Sequence, residues 1–490
     1  MYYIGIDLGT SSVKLLLVDE AGTIHNTVSK EYPLSFPHEG WNEQNPEDWW
    51  KETVEGLKEL IINIDPSEVK GIGCGGQMHG LVILDEKDEV IRPCILWNDG
   101  RTDKEVEYLN HEIGEERLSE LTANIAFAGF TAPKILWLKK NEPDHFERIK
   151  KIMLPKDYIN YKLTGRHVTD YSDASGMLLL DVKNKCWSKE MCSICDIDES
   201  LLPELHESYD VIGEVNHEAL EMLKGVSVVA GAGDNAAAAI GTGTIGEGNC
   251  NISLGTSGTI FISSHHFQVD ENNALHSFAH ADGNYHLMAC MLSAASCNKW
   301  FAEEILHTKD YAGEQEKIKD EQLGNNNIYF LPYLMGERSP INDTDARGCF
   351  VGMDMHNHRT DMYLSVLEGV AFAIRDSLEV AKKLGLHICS SKVCGGGAKS
   401  PLWLKIISNV LNIQLEIPIS EEGPGYGGAM LAMVGCKAYE SIEECCEKLI
   451  HTKSIIEPDV IIAKRYEEKY QKFRKIYPAM KDLFKEIREM

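Results

Sequence analysis

The chain has 490 residues, 43% hydrophobic and 25% charged, with a formal net charge of −28. Such a length supports roughly two to four domains with cores large enough to need no disulfide or metal staple. The composition excludes a disordered chain. The acidity argues against general binding of nucleic acid or acidic membranes, which rests on basic side chains displacing counterions. The opening residues, Met1 to Asp7, lack a basic region followed by an apolar stretch, so no secretory leader is expected. The 14 cysteines are scattered, as in a cytoplasmic protein with reduced thiols. Cys192 and Cys195 form an isolated CxxC that reads better as two cysteines on a helix than as a zinc or redox site.

In chain order, Tyr2–Ile6 and Val13–Val18 read as strands flanking Leu8-Gly9-Thr10-Ser11-Ser12. Asn45 and Pro46 cap and open a helix that runs to about Ile62. Val69–Cys74 is an apolar strand ending in glycines, and Val226–Ala230 is another, running into Gly231-Ala232-Gly233-Asp234 and an Ala-rich helix over Asn235–Ile240. Val228 to Gly246 is the most apolar long segment, but it is too polar to span a membrane. Leu254-Gly255-Thr256-Ser257-Gly258-Thr259 repeats the first turn 246 residues later, again between two strand candidates, Cys250–Ser253 and Thr259–Ser263. This half-length offset predicts two similar α/β halves, 1–246 and 247–490, joined near Gly243 to Asn249. Asp361–Leu384 has helical apolar spacing, Ser391–Cys394 is a strand before Gly395-Gly396-Gly397, and Ser400 with Pro401 starts a helix. From Lys464 onward, Tyr466, Tyr470, Phe473 and Tyr477 line one face of a C-terminal helix.

Three glycine-rich turns after strands, at Gly9, Gly255 and Gly395, would let backbone N–H groups point at an anion. The hydroxyls of Thr10, Ser11, Thr256 and Ser257 add donors. Two matching turns in two halves favour a polyphosphate site over ordinary tight turns, although neither a P-loop nor a Rossmann fingerprint is present. Asp7 abuts the first turn, where a carboxylate would need Mg²⁺ to sit beside phosphate; the alternative is a turn-forming Asp. Asp234, at a strand-to-helix junction, reads equally well as a helix cap or as a general base for phosphoryl transfer. Gln77-Met78-His79-Gly80 and Trp97-Asn98-Asp99-Gly100-Arg101 combine aromatic and polar groups, as polyol recognition requires. His79 and Trp97 are otherwise ordinary core or turn residues.

The sequence resembles the FGGY family of carbohydrate kinases over essentially its whole length. The segments that carry this are Ile4 to Ser11, Gly76 to Gly80, Ile95 to Arg101, Phe130 to Leu138, Gly233 to Ala237, and Gly348 to Met353 leading to Leu367-Glu368-Gly369. The resemblance implies two ribonuclease-H-like, actin-like ATPase domains around a central cleft, the first holding sugar and the catalytic aspartate, the second the nucleotide. It implies ATP- and Mg²⁺-dependent phosphorylation of D-xylulose at its 5-hydroxyl. Asp234 would accept the proton and Asp7 would lie near Mg²⁺ and the phosphates. Met78, His79, Trp97, Asn98, Asp99, Arg101 and Asn235 would surround the sugar. Thr10, Ser11, Gly255, Thr256, Ser257 and Gly258 would lie on the phosphates. Gly396, Gly397, Ala398 and Trp300 would lie on the adenosine side, with Tyr426 near the nucleotide. Glu337 and Arg338 would lie near the cleft. Sugar and ATP are the expected partners, with no nucleic acid or membrane and a homodimer left open. The rival readings are a kinase for another pentulose or a polyol, and a non-catalytic ATP-binding switch on the same fold.

Overall fold

A computed structural model describes residues 1–419 and 422–488. Two mixed sheets dominate it. The first uses β1 (Tyr2–Leu8), β2 (Ser12–Asp19), β3 (Ile24–Glu31), β4 (Val69–Gly76), β5 (Val211–Glu214) and β6 (Ser227–Val229), in the order β5-β6-β4-β1-β2-β3. A short β7 (Ala232–Gly233) adds a parallel pairing to Gly75 and Gly76. The second uses β8 (Cys250–Leu254), β9 (Gly258–Ser264), β10 (His276–Ala279), β11 (Tyr285–Met291), β12 (Ser390–Cys394), β13 (Gln414–Pro418) and β14 (Thr452–Ile456), in the order β10-β11-β9-β8-β12-β13-β14.

The two sheets share a plan. In each, a hairpin (β1-β2, β8-β9) starts the sheet and its first strand pairs in parallel with a later strand (β4, β12). Another parallel strand follows, then an antiparallel edge strand (β5, β14). The repeated Gly-Thr-Ser turn is therefore the tip of the same hairpin in both halves. The central strands β1 and β8 alternate little and bury nearly every residue, as expected for strands covered on both faces.

The helices supply that cover. They are α1 (Pro46–Leu60), α2 (Pro155–Thr164), α3 (Asp234–Gly241), α4 (Arg359–Lys383), α5 (Pro401–Leu411), α6 (Gly423–Gly435) and α7 (Val460–Phe473). Asn45 caps α1 and Ser400 caps α5, as their sequences predict. The C-terminal helix differs from expectation. It ends at Phe473, and Tyr477 belongs to a separate helix, Ile476–Arg488, where its ring meets Tyr333 edge-on. Tyr466, Tyr470 and Phe473 do share one buried face, against Phe372.

The packing does not divide simply at residue 246. Helix α6 returns to the first sheet, lying on β1 and β4 and beside α3. It does so at backbone distance. A Cβ on Gly5 would meet the Gly425 carbonyl, and one on Gly427 would meet the Ala237 carbonyl. Glycine costs roughly 1 kcal/mol within a helix, and here the close approach accounts for it. Tyr426 is accordingly not on the nucleotide side. It is buried, and its hydroxyl donates to the Gly22 carbonyl at 3.0 Å. Gly427→Ala should cost about 3 kcal/mol or more in urea unfolding, because the neighbour is backbone and cannot turn aside; a loss below about 1 kcal/mol would show that α6 has room to move.

Candidate active site

Asp234 opens α3 in the wall of a cleft of about 260 Å³. The cleft is also lined by Asn235, Asn251, Ser253, Thr259, Gly395, Gly423 and Pro424. Both halves and α6 therefore meet at this carboxylate. Asn235 donates its N–H (2.7 Å) and its Nδ2 (2.9 Å) to Asp234 Oδ1. That leaves Oδ2 for an incoming proton. Burial pushes the Asp234 carboxyl up to about 6, and the Asn235 donors oppose the rise. A group held near neutrality in this way suits a general base.

Asp7 lies in β1, opposite Lys14 on β2 and beside Gly75 on β4. Burial raises its carboxyl to about 7, the negative charge of Asp234 adds to the rise, and Lys14 opposes it. A buried carboxyl raised further by the charge of a second carboxylate is the donor chemistry that a divalent cation relieves. Among the described residues no group of three or more His, Cys, Asp or Glu is arranged to hold a metal. Mg²⁺ in phosphate sites is held by one or two carboxylates together with phosphate oxygens and water, so it requires no such group, and Asp7 is a carboxylate with the chemistry to serve as one ligand.

The three turns differ in what they leave free. At the first, the Thr10 hydroxyl donates to Gln77 Oε1 (3.1 Å) and accepts from Trp97 Nε1 (3.0 Å). Thr10 thus ties the turn to the Gln77 and Trp97 loops, and exposed Ser11 keeps its hydroxyl unpaired among the described residues. At the second, the Thr256 carbonyl accepts from Ala294 and Ser296, while the Thr256 and Ser257 side chains face solvent. Gly255, Thr256, Gly396 and Gly397 line a cavity of about 980 Å³ with Asn298, Lys299, Tyr311, Gln315, Ser400 and Trp403. Its size and glycine edge suit a nucleotide. Gly258 is buried under Ala294, so it shapes the turn. Ala398 and Trp300 are placed elsewhere. Both pack on the second core, and the Trp300 ring stacks on Phe330, because the helix carrying Trp300 presents Asn298 and Lys299 to the cavity.

In the loop over residues 77–80, His79 has a left-handed backbone, φ 70°. Its carbonyl accepts from Lys134 Nζ at 2.8 Å, and its Nδ1 donates to the Gly176 carbonyl at 2.7 Å. That bond assigns the proton to Nδ1 and leaves Nε2 as an acceptor. Burial, reinforced by the Lys134 charge, pushes the imidazole down to about 3, so it is neutral. Burial also lowers the Lys134 ammonium to about 7. Met78 is buried beneath Gly233. Trp97 and Asn98 are exposed at the loop surface.

Asp99 and Arg101 have a different job from sugar contact. They pair with each other at 2.7 Å, and Arg101 also pairs with Glu43 at 2.7 Å. Asp99 accepts the Asn42 N–H at 2.6 Å, and the guanidinium lies 3.8 Å from the centre of the Trp41 ring. Their side chains are fully buried, with charge and donors spent on each other and on the loop's neighbours. Charged residues beside an aromatic looked like a binding wall; only the tertiary contacts show that they face inward. Cys192 and Cys195 are also buried, and burial raises both thiols.

Sequence reasoning passed over Asn251 in the cleft wall. It also passed over the buried cluster of Lys156, Asp157, Asp170 and Asp173 behind the Asp234 junction. A short run of charges in an otherwise apolar stretch was the available signal.

The fold and site define a phosphotransferase of the actin-like ATPase class, with two related halves facing one acid-lined cleft. The model of the FGGY carbohydrate kinase N-terminal domain matches residues 2–241, and that of the C-terminal domain matches residues 250–436. The chain belongs to the FGGY family of carbohydrate kinases. It is 36% identical over 488 residues to the xylulose kinase of Bacillus subtilis, covering 98% of each chain. A crystal structure of a "xyloylose kinase" from Brucella ovis superposes with TM-score 0.93 at 38% identity, covering 99% of this chain and 100% of that one. A gluconate kinase from Lactobacillus acidophilus superposes with TM-score 0.92 at 26% identity, covering 98% of each. No helix among the described residues is long and apolar enough to cross a membrane.

Carboxyls raised on folding bind protons more tightly in the folded chain. Without a bound cation, stability should therefore fall as pH rises from about 4 to about 7. Asp7→Asn removes that cost. It should raise Tm at pH 8 in Mg²⁺-free buffer; an unchanged or lower Tm would contradict the buried repulsion.

Proposed function

We propose that the chain transfers the γ-phosphoryl group of ATP to the 5-hydroxyl of D-xylulose, giving D-xylulose 5-phosphate. The observation that carries this is Asp234, held with one oxygen free in a cleft lined by residues of both halves. The substrate choice rests on the Met78-His79 segment and on full-length likeness to proteins named xylulose kinases. Residues 1–246 would bring the sugar groups and the base, and 247–490 the nucleotide groups.

Phosphoryl transfer needs positioning and charge stabilisation more than covalent chemistry from the protein. The neutral imidazole of His79 accepts a hydrogen bond from a sugar hydroxyl at Nε2. Met78 and the Trp97 loop wall the sugar, with Asn98 and Asn235 at its rim. Asp234 Oδ2 takes the proton of the attacking hydroxyl as its oxygen approaches the γ-phosphorus. The N–H groups and hydroxyls of Gly255 to Gly258 cradle the β- and γ-phosphates, and Thr10 and Ser11 face them from the other half. Asp7 would hold Mg²⁺, which neutralises developing charge on the phosphate oxygens. The adenosine would occupy the cavity edged by Gly396 and Gly397.

Likeness to a gluconate kinase makes another polyhydroxylated acceptor the second reading. A coupled ATP assay across D-xylulose, D-ribulose, pentitols and gluconate separates the two. D-Xylulose should give the highest kcat/KM, and preference for another acceptor would reassign the substrate. Asp234→Asn should lower kcat at least about 10²-fold. Because the base works ionised, kcat/KM should fall below an apparent pKa of about 6. A folded variant with near-normal turnover would remove Asp234 from the role.

A further inference from the structure

Seven residues, Asp170 to Gly176, bond to the residue before the base, to the His79 loop and to the second half at once. Asp170 and Ser172 are fully buried, and so is Lys156. Lys156 Nζ on α2 pairs with Asp157 at 2.6 Å and with Asp170 Oδ1 at 3.2 Å. It also donates to the Ala230 carbonyl at 3.1 Å. Asp170 Oδ2 accepts the Ser172 hydroxyl (2.5 Å), the Ser172 N–H (2.9 Å) and the Ser208 hydroxyl (2.8 Å). With its proton committed to Asp170, the Ser172 hydroxyl oxygen accepts the Gly233 N–H at 3.2 Å. Gly233 is the residue before Asp234.

Two further bonds leave the same segment. The Gly176 carbonyl accepts from His79 Nδ1 at 2.7 Å, and the Ser175 hydroxyl accepts the Ala279 N–H of β10 at 3.0 Å. Room here is tight: a Cβ on Gly176 would meet the His79 ring, and one on Gly233 would meet Met78.

A buried ion network adds little net stability compared with an apolar replacement. What this network does supply is direction. It holds the end of the strand that delivers Asp234 and, through a few backbone bonds, the imidazole that meets the sugar. We propose that Ser172, oriented by the Lys156–Asp170 pair, is a positioning residue for Asp234, and that the 170–176 segment ties the placement of the base to that of His79 and to the second half. This rests on the phosphotransfer reading above.

The test compares Ser172→Ala, Ser172→Cys and, as a control for stability alone, Val69→Ala, which opens a small cavity at the far end of β4. Ser172→Ala should lower kcat about tenfold or more, as expected when a reacting group is misplaced by a fraction of an ångström to an ångström. KM for ATP and for sugar should stay within about threefold, since neither binding surface is removed. Ser172→Cys keeps the shape and weakens both bonds, so its kcat should fall between wild type and Ser172→Ala. Val69→Ala should lose Tm and keep kcat per folded molecule. The proposal is overturned if both Ser172 variants turn over at the wild-type rate, or if Val69→Ala at matched loss of Tm loses as much kcat. Wild-type protein that phosphorylates no sugar in the panel would instead sink the functional reading and leave this one without a reaction.

Discussion

The rest of the structure depends on the backbone-to-backbone seating of helix α6 in the first sheet. Its glycines let it lie on β1 and β4 and beside α3 with no side chains between. The start of the same helix, Gly423 and Pro424, forms part of the cleft wall opposite Asn251 and Ser253. A segment that follows most strands of the second sheet in sequence thus packs beside the helix that Asp234 opens. The two halves are interlocked by the chain itself, and the walls of the cleft share one rigid element.

Electrostatics explains how so acidic a protein accommodates a polyanion. Its global charge is −28, yet the site is built from backbone N–H groups, hydroxyls and two carboxyls whose ionisation is already unfavourable. The important cations are spent inside. Arg101 fixes the Trp97 loop, Lys134 fixes the His79 carbonyl and Lys156 fixes the strand leading to Asp234. Local dipoles, more than the global charge, then decide what binds.

Much of the fold was legible in the sequence. The repeated Gly-Thr-Ser turn marks a hairpin, and an apolar strand on each side marks a sheet covered on both faces; both halves have that arrangement. Asp7, Asp234 and His79 stood out as candidates because a polar residue beside a glycine turn at a strand end has few structural reasons to be there, and burial shifts both carboxyls and the imidazole. Asp99 and Arg101 were misjudged because a charge beside an aromatic looks the same whether it faces a ligand or a partner. Trp300 and Ala398 pack on the second core while Asn298, Lys299, Gly396 and Gly397 line the cavity, a choice that local register makes and sequence pattern does not show. The helix break before Tyr477 was missed because the aromatic spacing continues across it.

The sequence by itself determined the two-half plan, the glycine-rich turns at the matching hairpin tips and the residue types available for acid–base work. These follow from local rules: side-chain periodicity, glycine's conformational range and the chemistry of each side chain. Only the tertiary structure decided that α6 belongs beneath the first sheet, that Asp99 and Arg101 face inward, and that a buried serine reaches the residue before the base. Those outcomes depend on contacts between residues tens to hundreds of positions apart, and short-range pattern carries no record of which side chains burial will bring together.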